Sequence, residues 1–204
     1  MKNSFISLLS IFVSVLFLNV GAAQEYKVVK NTSLETHISI TGVFKQNDYQ
    51  NIISSLGALK STSPKHRRFL YLDSPGGDYF VGIALADTVR NMGFTTIVRN
   101  QCNSACVFVF MAGRHYNQGV KHIGSSYKVS RIVYRGATIG IHRISSNKNL
   151  STQVAQAIIG NAVRSFNESD FRDSILIEKL LMTDSNDLYI LSEEDMIRNN
   201  ISIK

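Results

Sequence analysis

Short apolar runs alternate with segments of helical spacing along most of this 204-residue chain, and this alternation constrains the fold most strongly. The clearest case is the apolar run from Arg68 to Leu72. It leads into the break at 73–77, Asp-Ser-Pro-Gly-Gly, which neither a helix nor a strand continues through easily. A segment of helical spacing then extends from Tyr79 to Met92 and stops at Gly93. Strand, turn and helix in this order predict one unit of a parallel α/β sheet.

The same order recurs on both sides of this unit. The spacing predicts further strands over 37–44, 94–99 and 137–141, and helices over 48–59, 104–113 and 152–182, the last one broken around Asn167. Residues 114–135 read as an irregular loop or a β-excursion, and a capping box at Ser192 opens a last helix. These elements predict a single α/β domain with a mainly parallel sheet, flanked by helices that cross it right-handedly.

The amino-terminal segment has the order of a secretory signal peptide. Lys2 precedes a continuous apolar run from Phe5 to Val20, and small residues follow up to Ala23. We expect residues 1–23 to be a cleaved signal peptide and residues 24–204 to form the α/β domain. An uncleaved membrane anchor is the alternative. In both cases the folded part lies outside the cytoplasm, in the periplasm or secreted.

Export bears on the two cysteines, Cys102 and Cys106, because disulfides persist in oxidising compartments. A bridge between them is one interpretation. Two buried thiols are the other, since a spacing of four is awkward for a bridge if both residues lie on one regular helix. Two cysteines supply too few ligands for a structural zinc site, and we expect no metal.

Basic residues dominate the middle of a chain whose formal net charge is +7. From Thr88 through Asn167 the sequence has no Asp or Glu. The basic residues of this stretch are Arg90, Arg99, Arg114, Lys121, Lys128, Arg131, Arg135, Arg143, Lys148 and Arg164. Such a field favours anionic partners or surfaces. Nucleic acid is not expected, because the basic residues are dispersed along the stretch and the chain is predicted to be exported.

Three residues or motifs at strand ends carry candidate chemistry. The Pro-Gly-Gly turn offers backbone amides that no side chain obstructs, and such amides stabilise an oxyanion. Ser104 stands between a strand and a helix, where it is either a nucleophile or an ordinary helix cap. His142 ends an apolar strand, where it is either a base or a core histidine. Because the carboxyl ends of parallel strands meet at one edge of a sheet, the joint order favours an active site.

These motifs resemble those of a known family. Ser74-Pro75-Gly76-Gly77 is similar to the Ser-Pro-Gly-Gly segment of the Clp protease proteolytic subunit and its relatives in the ClpP/crotonase superfamily. The segments 101–106 and 139–143 resemble those that carry the family's nucleophile and histidine, and Leu191-Ser192 resembles its closing segment. The likeness covers about Leu70 to Ile201. It is greatest to exported bacterial Clp-like proteins with a Cys-x-Ser-Ala-Cys segment.

The resemblance implies a serine peptidase or related hydrolase. Ser104 would be the nucleophile, His142 the general base, and the amides of Gly77 and Ala105 the oxyanion hole. The third member would be Asp187, which stands one residue from the expected register, with Asp184 in reserve or a Ser/His dyad as the alternative. If bridged, the cysteines would fix the turn that carries Ser104 and make activity redox-dependent.

The resemblance also implies a polypeptide substrate, no cofactor, and assembly into a homo-oligomer. No ATPase partner is expected outside the cytoplasm, so substrates would be unfolded or short. Two other functions compete with the peptidase. One is a catalytically inactive binding module with a basic surface, and the other is a crotonase-like acyl-thioester enzyme, which would need neither Ser104 nor His142.

Overall fold

The computed structural model describes residues 25–32, 34–58, 66–116, 127–144, 151–169 and 173–204. The predicted signal peptide over 1–23 lies outside these residues, and so does Leu59 at the end of the first predicted helix. Within the described part of the chain, no helix has the length and apolar character needed to cross a membrane.

Strands and helices alternate along most of the described chain. The strands are β1 (Glu25–Asn31), β2 (Glu35–Thr41), β3 (Arg67–Ser74), β4 (Thr95–Asn103), β5 (Arg114–Tyr116), β6 (Tyr127–Val129), β7 (Arg131–Val133), β8 (Thr138–Ile141), β9 (Tyr189–Ile190) and β10 (Ile201–Ile203). The helices are α1 (Gln46–Ala58), α2 (Tyr79–Met92), α3 (Ala105–Met111), α4 (Thr152–Glu168), α5 (Ser174–Met182) and α6 (Glu193–Arg198).

One mixed sheet organises these elements. Strands β1, β2, β3, β4, β7 and β10 lie side by side in that order. The long strand β4 pairs with β7 along its first half and with β8 along its second half. Strand β9 runs antiparallel to β8, and β1 antiparallel to β2, whereas the other strand pairs described in this sheet are parallel. The prediction of a single α/β domain with a mainly parallel sheet is confirmed.

The two ends of helix α2 are set by capping residues. The Asp78 carboxylate accepts the backbone N–H of Val81 at 3.0 Å, which satisfies one of the free donors of the first turn. At the other end Gly93 adopts a left-handed conformation with φ 69°, which glycine reaches without a steric penalty. The predicted bounds of this helix, Tyr79 to Met92, agree with the structure.

Helix α3 is buried around its whole circumference. Every residue from Ala105 to Met111 is buried, so the helix lies inside the core. Its β-branched and aromatic content resembles that of a strand, yet the predicted helix over 104–113 is present. A helix without a polar face is expected where all its sides are covered by protein.

Several strands escaped prediction for identifiable reasons. Strands β9 and β10 have only two and three residues, too few to show an alternating pattern. Residues 114–135 form a β-excursion in their described parts, the hairpin of β5 and β6, but they also supply β7 to the main sheet. Arg131 opens β7 and is buried, and a charged residue at a core position hides the strand in the sequence.

Part of the basic excess serves the interior of the fold. Arg90 is buried and its guanidinium contacts Asp87 at 2.6 Å and the hydroxyl of Ser169 at 3.0 Å. The guanidinium of Arg131 donates to the backbone carbonyls of Asn199 and Ser169. Buried arginines need such partners, so these two residues stabilise the interior of the fold.

Candidate active site

The Pro-Gly-Gly turn is fixed by hydrogen bonds of the serine that precedes it. Ser74 ends β3, and its buried hydroxyl donates to the carbonyl of Gly42 at 2.6 Å and accepts the N–H of Gly76 at 3.0 Å. Gly76 and Gly77 have φ values of 100° and 135°. Side chains rarely adopt such values, so the turn requires glycine at both positions.

The backbone of Gly77 points its amide away from the neighbouring strand. Phe44 forms a parallel bridge with Gly77, in which its N–H donates to the Gly76 carbonyl and its carbonyl accepts from Asp78. In a parallel bridge of this kind the opposing residue, here Gly77, forms no hydrogen bond to Phe44 with its own N–H or its own carbonyl. The Gly77 N–H therefore points away from Phe44, and Gly77, an exposed residue, lines the same cleft as Ser104.

Ser104 occupies a strained turn between β4 and α3. Its backbone has φ 54° and ψ −124°, a conformation that is unusual for a residue with a Cβ. The Ser104 N–H donates to the carbonyl of Gly140 at 2.8 Å, which fixes the turn against β8. Its hydroxyl does not cap the helix, so the interpretation of Ser104 as an ordinary cap fails. Strained backbone of this kind concentrates at functional sites.

A disulfide spans the Ser104 turn. Cys102 and Cys106 are bridged, with 5.2 Å between their Cα atoms, and both are fully buried. The spacing of four is compatible with a bridge because Cys102 belongs to β4 and Cys106 to α3, rather than both to one helix. Together the bridge and the Gly140 contact hold the backbone of Ser104 from two sides.

His142 follows the last residue of β8 and is partly exposed. Its Nδ1 atom lies 2.7 Å from the backbone carbonyl of Arg143. Because a carbonyl can only accept a hydrogen bond, Nδ1 is the donor and carries the proton. In the neutral imidazole the other ring nitrogen, Nε2, then has a free lone pair, which is the form of histidine that can act as a base.

These residues share one open cleft of about 790 Å³. Gly77, Ser104, Ala105 and His142 all line it. Its other walls are mostly apolar and come from the β2–α1 connection, the start of α2, α3, α4 and α5, with Phe44, Tyr79, Phe80, Phe108, Ile144, Val154, Ile158 and Leu180 among the lining residues. Within the described residues, no hydrogen bond joins the Ser104 hydroxyl to His142.

The candidate carboxylates are not among the residues that line this cleft, and neither is bonded to His142. Asp187 is exposed, and its N–H donates to the carbonyl of Asp184 in a turn that precedes β9. The Asp184 carboxylate accepts from the guanidinium of Arg143 at 3.0 Å. The assignment of Asp187 as third member therefore stays a prediction without a contact to support it.

Tyr79 is a cleft residue that the sequence interpretation did not single out. Its hydroxyl donates to the carbonyl of Ile158 in α4 at 2.9 Å, and burial raises its pKa to about 12, opposed by the charge of Arg164. Helical spacing predicted both α2 and α4, but it did not indicate that this hydrogen bond joins them. Among the described residues there is no group of three or more His, Cys, Asp or Glu side chains that could hold a metal ion.

Comparison with protein families agrees with this geometry. The family described as Clp protease matches residues 20–157, about two-thirds of the chain. The matched region contains the Pro-Gly-Gly turn, Ser104 with its disulfide, and His142, whereas Asp184 and Asp187 lie beyond it. The resemblance to the ClpP/crotonase superfamily is confirmed on this ground. The chain belongs to the Clp protease family.

Proposed function

We propose that this protein is a serine peptidase in which Ser104 is the nucleophile and His142 the general base. The observation that carries the proposal is the backbone of Ser104, a residue with a side chain held at φ 54° on the wall of the cleft. Such strain is costly and persists where the surrounding structure enforces it. Here a buried disulfide and the Gly140 contact enforce it.

The proposed reaction uses two steps of acyl transfer. The Ser104 Oγ attacks the peptide carbonyl while Nε2 of His142 takes its proton, and the N–H groups of Gly77 and Ala105 bind the oxyanion. The carbon–nitrogen bond then breaks, His142 returns the proton to the leaving amine, and an acyl-enzyme remains on Ser104. Water hydrolyses this ester with His142 again acting as the base.

The Ala105 amide suits the second position of the oxyanion hole. Ala105 is the first residue of α3, so its N–H has no acceptor within the helix. It follows Ser104 directly and lines the same cleft as Gly77. In the proposed complex with substrate, rotation of the Ser104 side chain brings Oγ within hydrogen-bonding distance of Nε2, a contact that often tightens only when substrate binds.

We further propose that the substrates are unfolded or short polypeptides met outside the cytoplasm. The cleft is open and largely apolar, which suits side chains that a folded protein would bury. The disulfide supports an oxidising compartment, the periplasm or the exterior, reached through the predicted signal peptide. In this proposal the protein uses no ATPase partner, and it assembles as a homo-oligomer.

The experiment is covalent labelling with a fluorophosphonate probe, which reacts with activated serines. The wild type is compared with Ser104→Ala and His142→Ala, and with Ser202→Ala and His115→Ala as matched controls at exposed positions on β10 and β5. We expect labelling in the wild type and both controls and none in the two site variants. Circular dichroism verifies that each variant is folded. Labelling that survives Ser104→Ala would refute the proposal.

A second candidate function is a non-catalytic polypeptide-binding module with the same cleft. It is favoured by the absence, among the described residues, of a bond between the Ser104 hydroxyl and His142. A folded wild-type protein that binds an unfolded polypeptide but is not labelled by the probe would establish this function in place of the peptidase.

A further inference from the structure

We propose that the backbone carbonyl of Arg143 takes the place of a triad carboxylate, and that Asp184 is a positioning residue that acts on His142 through Arg143. This inference rests on the proposed function. It follows from three contacts of the residue pair 142–143, from the hydrogen bond that orients the Asp184 carboxylate, and from the register of strand β9.

The first contact is the hydrogen bond from His142 Nδ1 to the Arg143 carbonyl, 2.7 Å long. A triad aspartate has two tasks: it keeps the proton on Nδ1, and it fixes the plane of the ring. A carbonyl oxygen can do both, because it accepts from Nδ1–H and cannot donate. In this proposal the carbonyl of the next residue performs both tasks.

Among the described residues, the register of strand β9 places a leucine rather than an acid opposite the imidazole. Ile141 pairs with Tyr189 in the antiparallel ladder of β8 and β9. Continued by one residue, this register brings Leu188 opposite His142. Asp187 is one position further along and belongs to the turn closed by its N–H and the carbonyl of Asp184, at 3.1 Å. Asp187 stands one residue from the register expected for a triad aspartate in the sequence, and it is displaced by one residue from His142 in the structure as well.

Arg143 is in turn fixed by two consecutive residues that follow helix α5. Its backbone N–H donates to the carbonyl of Thr183 at 3.0 Å, and its guanidinium donates to the Asp184 carboxylate at 3.0 Å. The other oxygen of that carboxylate accepts the N–H of Asn186 at 3.0 Å, which fixes its direction. Asp184 thus contacts the residue that supplies the carbonyl rather than the imidazole.

The charge of Asp184 has a specific use in this arrangement. The imidazole of His142 becomes positively charged when it takes the Ser104 proton, and the guanidinium of Arg143 belongs to the adjacent residue. An unpaired cation there would oppose the second positive charge. The ion pair between Arg143 and Asp184 is about half exposed, so its effect is moderate. We therefore expect Asp184 to affect turnover without being essential.

The decisive experiment reads the imidazole tautomer without requiring activity. Nitrogen NMR chemical shifts of His142 are measured at about pH 8, where an ordinary imidazole is neutral, in the wild type, Asp184→Asn and Asp187→Asn. We expect the proton on Nδ1 in all three proteins, because the carbonyl remains in each. A proton that moves to Nε2 in either variant would overturn the proposal, since the carboxylate would then have been the partner.

Kinetics of peptide hydrolysis supply the second arm. We expect Asp184→Asn and Asp187→Asn each to lower kcat/KM by no more than about 10-fold, against the roughly 10⁴-fold loss in kcat when a triad aspartate becomes asparagine. Asp184→Lys should lower kcat about 5-fold with KM unchanged, and the exchange Arg143→Glu with Asp184→Lys should restore most of this loss. A loss near 10⁴-fold, or no recovery in the exchanged pair, would overturn the proposal.

The two proposals fail in different ways. If the wild type is not labelled at Ser104, the peptidase function fails, while the tautomer experiment still reports which group holds His142. If Ser104 is labelled and the tautomer changes in an asparagine variant, the peptidase stands and the role of the Arg143 carbonyl is refuted.

Discussion

Gly76 and Ser104 are in direct contact, so the turn after β3 is packed tightly against the turn after β4. A Cβ atom added at Gly76 would lie 2.6 Å from the Cβ of Ser104 and 2.6 Å from the carbonyl oxygen of Asn103. Carbon atoms in van der Waals contact stay well beyond that distance. The two turns that frame the candidate oxyanion hole are thus packed against each other without room for one methyl group.

This contact predicts a large effect for Gly76→Ala. The variant combines two costs, a side chain at φ 100° and a clash with the backbone of the Ser104 turn. We expect a loss of about 3 kcal/mol or more in the free energy of unfolding and loss of probe labelling at Ser104. Urea unfolding and labelling of the folded fraction are the measurements.

Gly136→Ala is the matched control for that variant. Gly136 has φ 85°, and a Cβ there would meet no atom within 4 Å. It therefore shares the conformational cost of about 1 kcal/mol without the clash. Equal destabilisation by the two variants, with labelling intact in both, would contradict the argument from packing.

The sequence predicted the parts of this site that depend on local pattern. The strand, the glycine turn and helix α2 follow one another in the chain, and each has its own local signal. Ser104 and His142 could be placed at strand ends because parallel strands bring their carboxyl ends to one edge. The family resemblance then assigned their roles.

The orientation of His142 could not be predicted, because it depends on tertiary contacts that have no local signal. The carbonyl of Arg143 is an acceptor that every residue has, and only the fold brings it to Nδ1. The bridge between Cys102 and Cys106 was open for a similar reason. Its geometry depends on the exact point where β4 gives way to α3, and element boundaries are the least certain part of a pattern.

The disulfide provides a second prediction, for the paired variant Cys102→Ala with Cys106→Ala. Closing so short a loop contributes about 2 kcal/mol in the chain-entropy estimate, so we expect the free energy of unfolding to fall by about that amount. The Ser104 turn also loses one of its two supports, and the rate of probe labelling should fall several-fold. Stopped labelling reactions and urea unfolding measure the two effects.

Reductant gives the control for this prediction. Both cysteines are fully buried, so a mild reductant should leave the labelling rate of the native wild type unchanged. Reduction in denaturant followed by refolding under reducing conditions should reproduce the paired variant. A labelling rate that falls on adding reductant to the native protein would instead establish the redox dependence considered from the sequence.

Tyr79→Phe tests how helix α4 is attached to the cleft. The variant keeps the ring, which packs edge-on against Phe108, and removes only the bond to the Ile158 carbonyl. We expect a loss of about 1 kcal/mol in the free energy of unfolding and a higher KM for peptides, because α4 forms part of the wall. Tyr134→Phe, at an exposed position outside the cleft lining, is the control. Equal KM values for both variants would argue against α4 as a substrate-binding wall.

Asp195 predicts how the closing segment responds to acid. Burial alone would raise the pKa of this carboxyl, but hydrogen bonds from Ser192 and Tyr189 and the charge of Arg198 outweigh it and hold the pKa below its ordinary value of 3.8. A carboxyl with a lowered pKa in the folded state stabilises the protein above the pKa of the unfolded chain. That stability is lost as the pH falls through the lower folded value.

We therefore expect the free energy of unfolding to fall steeply below about pH 4, and Asp195→Asn to make this fall shallower while lowering stability at pH 7. Glu193→Gln is the control, because Glu193 lies in the same first turn of α6 and is exposed. Urea unfolding from pH 7 to pH 2 provides the measurement. Asp173 has a lowered pKa as well and also contacts Arg198, so part of the slope should remain in Asp195→Asn. Parallel curves for the wild type and Asp195→Asn would mean that the hydrogen bonds to Asp195 do not favour its charged form.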